Sequence, residues 1–530
     1  MILPWTTLAN MSALLVCFLV SQSALGAERV DLVLENGIIH DGTGTSIGVG
    51  YVAVRDGVIV AVGTGEGPAA EQRVDATGLV VCPGFIDLHT HSDRGLTKPA
   101  TRAAVNYLMQ GCTTSVTGNC GMGPIEVKEF YDDVDLAGAG TNVAHLLPQG
   151  SLRSHVVGSV DRKATATELQ EMQRIAQKAM DDGAWGMSTG LIYTPSTYAD
   201  TQELIEIAKI IGREGGIYAS HIRGEEQQLL SSVEEALAIG VEADVPVHIS
   251  HFKVKGTPNW GTLRVAAAMV EKAREKGQRV TADQYPYIAA STSLVATIFP
   301  PWSVSGGAEK LVERLDDPEM GGKIRESVAS SLKIKEDGKQ VVIAVYRPRP
   351  EWVGKNLKEI ATSEGTTALQ IAEEIVRSGG AKIVNFAMNE EEVRMAMRHS
   401  WVATASDGSV MLPDATRPHP RSYGTFARKI GHYAIREGVI PLEQAIRSST
   451  GLPADILQLT DRGYLKPGQA ADIVVFDPKN IIDTATFENP HQYALGMRYV
   501  FVNGVAAVFE GSPTGALAGQ ALRKQTVESN

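Results

Sequence analysis

From Gly84 to about Pro453 the chain repeats one rhythm: a short apolar strand, a loop, a helix, then the next strand. Strands are expected to finish at His91, Cys120, about Leu147, Gly190, His221, His251, Tyr285 and Asp407. Helical periodicity fills Ala166 to Asp181, Thr201 to Glu214, Val233 to Ile239 and Leu263 to Lys276. Asp200 or Thr201 and Ser232 are the expected N-caps, and Gly183, Gly215 and Gly240 the expected C-caps. Parallel strands need crossovers of helix length. Eight such units predict an α/β fold, a TIM-like (β/α)8 barrel over 84–455. Reactive groups in such barrels stand at the carboxyl ends of the strands, where the histidines, a cysteine and an aspartate fall.

The flanks read differently. Asn36-Gly37 and Asp56-Gly57 are hairpin signals between Val- and Ile-rich runs, and Asn503-Gly504 repeats the pattern near the other end. Two β segments at opposite ends, 28–83 and 456–512, most simply pair into one small β-sandwich, leaving 513–530 as a tail. A stretch of about 291–381 breaks the strand–helix rhythm and carries its own helices. An ordered insertion of that length beside an active face reads as a lid or substrate-binding module. Ile383 to Met388 reads as an extra strand.

A formal charge of −12 excludes the basic surfaces that nucleic acids or anionic membranes require. Met11 to Val20 is apolar and is followed by small residues up to Ala27, the pattern of a signal peptide over 1–27, although no Lys or Arg precedes it. The run is too short to span a bilayer, so an exported, periplasmic or extracellular protein is expected, with no membrane partner after cleavage. Cys82, Cys112 and Cys120 would remain, an odd number, so at least one is unpaired or bound to metal. Cys82 and Cys112 read as buried thiols or as one disulfide.

The chemistry begins at Gly84-Phe85-Ile86-Asp87-Leu88-His89-Thr90-His91. Strand side chains alternate faces, so His89 and His91 share one side and either grip a metal or simply close the strand as a polar pair. Cys120, after Thr117-Gly118-Asn119, is either a buried thiol or a thiolate ligand. His221 and His251 end their strands, and His248, three residues earlier, competes with His251 from a deeper position. Cys120, His221 and His251 together make a coherent three-ligand Zn2+ set with one open position. Asp407, closing Val402-Ala403-Thr404-Ala405-Ser406-Asp407, would beside zinc take a proton from the attacking water, or else would make a turn with Gly408.

Pro83-Gly84-Phe85-Ile86-Asp87-x-His89-x-His91 with His221, His251 and Asp407 resembles the amidohydrolase superfamily. Within it the chain is most similar to the N-acyl-D-amino-acid deacylases (D-aminoacylases), from about Val30 to Gly511. Many superfamily members carry a carboxylated lysine on the fourth strand. Gly186 to Leu191 has none, and Gly118-Asn119-Cys120-Gly121 matches the cysteine that the D-aminoacylases use instead. The resemblance implies one tight zinc on Cys120, His221 and His251, and a second, weaker or empty site formed by His89, His91, Cys120 and Asp407. It also implies that Lys253, Tyr285, Ser291 and Arg421 hold the substrate carboxylate and that Tyr193 lies near the scissile carbonyl. The chain departs from the family in having His251-Phe252-Lys253 where His-His-Lys is usual, and in a longer run from Asp407 to Arg421. Both changes are expected to touch the pocket wall.

The activity so implied is zinc-dependent hydrolysis of a small N-acyl-D-amino acid, with Asp407 as the catalytic proton carrier. The same scaffold acting on dipeptides with a C-terminal D-residue, or on another N-acyl or cyclic amide, is the nearest alternative. A non-catalytic binding member is the alternative from another class. The D configuration follows from the resemblance alone, and the oligomeric state is not legible in the residues.

Overall fold

The computed structural model describes residues 29–525, so the leader expected at 1–27 lies outside them. Eight short parallel strands form the centre: Phe85–Asp87, Cys112–Thr117, Asn142–His145 continued by Leu147–Pro148, Gly186–Gly190, Ile217–His221, Val247–Ile249, Val280–Gln284 and Val402–Thr404. The interrupted third strand joins the two parts of the sheet, pairing with the second on one side and the fourth on the other. The barrel closes where the last strand returns to the first, through a parallel bridge between Thr90 and Gly408. There the Asp407 N–H donates to the His89 carbonyl (2.8 Å) and the His91 N–H to the Gly408 carbonyl (2.7 Å).

Amphipathic helices cover the outside. Ala166–Asp181 begins in a capping box in which Thr165 and Glu168 satisfy each other's backbone N–H groups. Asp200 caps Thr201–Arg213 through the Glu203 N–H. The next helix corrects the sequence reading. It runs from Leu229 to Glu242, so Ser232 is not its cap and Gly240 is not its end. Gly240 lies inside because a Cβ there would sit 2.3 Å from Val247 Cγ2, and the close helix–strand contact needs a bare backbone.

Both ends of the chain contribute to one nine-stranded sheet, joined where Val80–Pro83 pairs antiparallel with Ile473–Phe476. Leu34, Val52, Val54, Ile473, Val475 and Phe501 share its core. Asp56-Gly57 and Asn503-Gly504 turn with positive φ at both residues, as two-residue hairpins require. Asn36-Gly37 does not turn. Val30–His40 runs through it as one strand with a bulge, because its partner Ser46–Arg55 continues alongside. Residues 514–525 are not a free tail. Val143 and Gln520 bond backbone to backbone (2.9 Å), and the Leu522 carbonyl accepts from the Trp185 indole (2.6 Å). The helix Gly451–Leu457 lies beside the amino-terminal mouth of the barrel and runs across the expected boundary at 455.

The inserted segment has its own core, including Leu311, Ile324, Val328, Leu357, Ile371 and Ile375. Its sheet places Lys382–Asn385 between Ala290–Ser293 and Val341–Val345. The extra strand expected at Ile383 to Met388 therefore belongs to the insertion, which extends past 381. A short apolar run does not reveal which sheet it joins.

Candidate metal centre

The strands end earlier than the sequence implies, and most of the candidate residues stand one to three positions beyond them, on turns at the carboxyl mouth. Cys120 (φ 51°), His251 (φ 39°) and Asp407 (φ 49°) hold left-handed backbones that non-glycine residues rarely adopt. Each is tied down locally. Ser188 Oγ accepts from the Gly121 N–H beside Cys120 (3.0 Å), the His251 N–H donates to Asp283 Oδ1 (2.6 Å), and the Gly408 N–H donates to Ser406 Oγ (3.0 Å).

These turns bring all six candidate ligands together. Cys120 Sγ lies 3.2 Å from His89 Nε2, 3.5 Å from His221 Nδ1 and 3.9 Å from His251 Nε2. His221 Nδ1 and His251 Nε2 are 2.8 Å apart. Asp407 Oδ1 is 3.1 Å from His91 Nε2 and 3.5 Å from His89 Nε2. Apart from the half-buried His91, these residues are buried.

Burial alone would raise the Cys120 thiol, but His89 and the hydrogen bonds from His221, His251 and His89 outweigh it and hold the thiol well below its ordinary value. For Asp407, burial is overcome by Arg421 and His89, so the carboxyl stays ionised. His221 is pulled down to about 4 by burial and by neighbouring His251, which keeps its ring neutral. His91 is raised to about 9, since bonds to Asp407 and Cys120 outweigh its burial. Thiolate, carboxylate and ring nitrogens thus converge on one small space where positive charge is favoured. The donors suit zinc: soft sulfur plus imidazole, at separations that four bonds of ~2.0–2.3 Å can span.

Two carboxylates missed in the sequence stand behind this cluster. Asp283 Oδ2 lies 3.3 Å from His89 Nδ1 and 2.9 Å from His248 Nε2. His248, the competitor of His251, faces Asp283 and lies outside the ligand cluster. Glu225 Oε1 lies 2.9 Å from His251 Nδ1 and pairs with Lys253, while Oε2 lies 3.1 Å from Lys255 Nζ. Carboxylates behind metal-binding imidazoles fix their orientation and proton position. The available signals were a charged residue inside the strand Val280–Gln284 and an acid four residues after His221.

Arg421 Nη1 is 2.8 Å from Asp407 Oδ2, and Nη2 donates to the Ser291 carbonyl (3.4 Å). Ser291 therefore meets Arg421 through its backbone. The Tyr285 ring stacks 4.7 Å from the Arg421 guanidinium and 5.6 Å from Lys253 Nζ. Tyr193 packs edge-on against His221 (5.1 Å), its hydroxyl 2.9 Å from Thr292 Oγ1, so the first strand of the insertion lines the site. Burial keeps the Tyr193 phenol protonated. Phe252, expected at the pocket wall, is buried in the core and meets Trp401 edge-on (5.4 Å). Cys82 and Cys112 are buried free thiols.

A closed eight-stranded parallel barrel with a thiolate, histidines and an ionised aspartate at its carboxyl mouth defines a metal-dependent hydrolase. Sequence comparison matches the amidohydrolase family over residues 72–320 and 340–508, and the chain belongs to that family. D-aminoacylase from Alcaligenes xylosoxydans xylosoxydans is 36% identical over 521 residues, covering 94% of this chain and 98% of its own. A D-aminoacylase structure, from a study of one-metal activation and second-metal attenuation in its binuclear centre, superposes with a TM-score of 0.80 at 34% identity, over 93% of this chain and all of that one. N-acyl-D-glutamate deacylase from Bordetella bronchiseptica, crystallised with zinc and a phosphonate mimic of the tetrahedral intermediate, gives 0.81 at 32% identity, over 94% of this chain and all of the other.

Proposed function

We propose that this protein is a zinc-dependent deacylase that hydrolyses N-acyl-D-amino acids to a carboxylate and a D-amino acid. The observation that carries this reading is the meeting of Cys120, His221 and His251 around one point, with ionised Asp407 beside them and Arg421 on the far side of that carboxylate. Cys120, His221 and His251 would hold the tight ion, and His89, His91 and Asp407, with Cys120, a weaker second one. Zinc, when bound, supplies Lewis acidity towards the amide carbonyl and makes a water molecule acidic near neutral pH.

The chain's own groups do the rest. Asp407 accepts the proton of the attacking water and returns it to the leaving nitrogen, and Arg421 keeps it ionised until then. Tyr193, still protonated, donates to the oxygen on which negative charge develops. Lys253 and Lys255 pair with Glu225 and Arg421 pairs with Asp407, so three cations stand together where the substrate α-carboxylate would dock. Anchoring that group lays the amide over the site, an orientation effect worth several of the ~7–11 kcal/mol that proximity can supply. The D configuration rests on the relatives.

Export is proposed on the apolar run Met11 to Val20 and the small residues after it. No helix among the described residues is long and apolar enough to cross a membrane.

Assaying N-acyl-D and N-acyl-L amino acids and dipeptides on zinc-loaded protein tests the reading. Turnover confined to the L series, or to dipeptides, would overturn it. Asp407→Asn is expected to retain the tight zinc and lose at least three orders of magnitude in kcat, and retained kcat would remove Asp407 from the mechanism.

A further inference from the structure

The opposite mouth of the barrel holds a cavity of about 240 Å3. Ile217, Val247 and Val280, the first residues of their strands, form its apolar wall with Leu452 and Ile456 of the helix Gly451–Leu457. The volume lies below the ~300–1,000 Å3 of pockets that take drug-sized ligands, which suits a short chain.

Its charged edge is one-sided. Arg274 donates to the Val280 carbonyl, which holds its guanidinium at the start of the seventh strand. Among the described residues, neither Arg274 nor Arg279 forms an ion pair. The one acid on the wall, Asp455, is committed to Arg447 (3.1 Å) and the Tyr464 hydroxyl (2.6 Å). The cavity therefore offers two guanidinium groups beside an apolar chamber, the complement of an anion carrying a hydrocarbon chain.

We propose that this cavity is a second ligand site, for a small monocarboxylic acid whose carboxylate meets Arg274 and Arg279 and whose chain fills the space between Ile217, Val280, Leu452 and Ile456. The occupant is the acyl carboxylate that deacylation releases. That assignment rests on the proposed function, whereas a site for a short-chain carboxylate does not. His248 and Thr281 also line the cavity, and His248 holds the Asp283 carboxylate that touches His89. The ligand thus sits one side chain and one carboxylate away from the metal centre.

Calorimetric titration of the zinc-loaded full-length protein with hexanoate tests the site without requiring turnover. Wild type should bind one equivalent more than Arg274→Ala/Arg279→Ala and than Ile456→Trp, which fills the chamber. Any hexanoate held at the metal centre would be common to all three. Hexylamine, with the same chain and the opposite charge, should show no such difference. Equal hexanoate stoichiometry and affinity in the three proteins overturns the site, and a matching difference with hexylamine overturns the carboxylate. Arg274 and Arg279 are both exposed, so the arginine variant stays informative if Ile456→Trp fails to fold. Should the protein bind hexanoate as stated but hydrolyse no N-acyl amino acid, the proposed function fails and this site stands.

Discussion

Glu225 is the residue on which the basic side of the pocket depends. Buried and surrounded by His251, Lys253, Lys255 and His221, it stays ionised because Lys253 and Lys255 outweigh the cost of its burial. Glu225→Gln keeps the shape and removes the charge. It should weaken zinc binding by about 10–100-fold and raise KM more than it lowers kcat, read by metal titration and steady-state kinetics. Lys429 is the converse case, a buried ammonium without a hydrogen-bond partner. Burial lowers it to about 7. Between about pH 7 and the ordinary lysine range the unfolded chain therefore holds a proton that the folded chain lacks, so this residue's contribution to stability rises with pH across that window. Lys429→Met should stabilise the fold by a few kcal/mol at pH 7, because each tenfold loss of proton affinity on folding costs ~1.4 kcal/mol. The gain should shrink towards pH 9.5 in denaturant titrations.

At the scale of elements, the loops after the strands set the chemistry, and a small residue on a neighbouring strand sets one of those loops. Gly190, at the end of the fourth strand, faces the turn carrying Cys120, and a Cβ on it would lie 2.1 Å from the Cys120 carbonyl oxygen. Gly190→Ala must therefore displace that turn and with it the thiolate. Zinc content should fall below one equivalent while the far-UV circular dichroism stays that of the wild type, and full zinc occupancy would show that the turn yields without cost. The sequence made Cys120 visible as a candidate because it follows an apolar strand and because Gly118-Asn119-Cys120-Gly121 matches the cysteine of the D-aminoacylases. It did not show that Cys120, His251 and Asp407 share a strained backbone costing about 1–3 kcal/mol each, because φ depends on what surrounds the turn. Helix ends followed the same division: Asp200 was readable from its local hydrogen bond, whereas Gly240 was misread because its reason is a strand packed against it.

Over the whole molecule, the candidate ligands come from the first, second, fifth, sixth and eighth strands and the turns after them, and the first meets the last at the barrel seam. A metal held there ties the two ends of the barrel wall together and is bound by the folded state alone. Removing it with a chelator should lower Tm, and restoring zinc at 100 times its Kd should recover about 2.7 kcal/mol, read by calorimetry. Independence of Tm from zinc would separate the cluster from metal binding.

Periodicity and spacing determined the barrel and the pairing of the chain ends, because each leaves a local signature of hydrophobic alternation or turn residues. The six side chains at the barrel mouth were singled out by their places at strand ends together with the family resemblance. Only the tertiary structure decided which carboxylates stand behind the histidines, where Phe252 points, which sheet Lys382–Asn385 joins, and that residues 514–525 are bound to the barrel. Those outcomes depend on partners dozens to hundreds of residues away, and contact across such distances is fixed by packing, which no local stretch of sequence encodes.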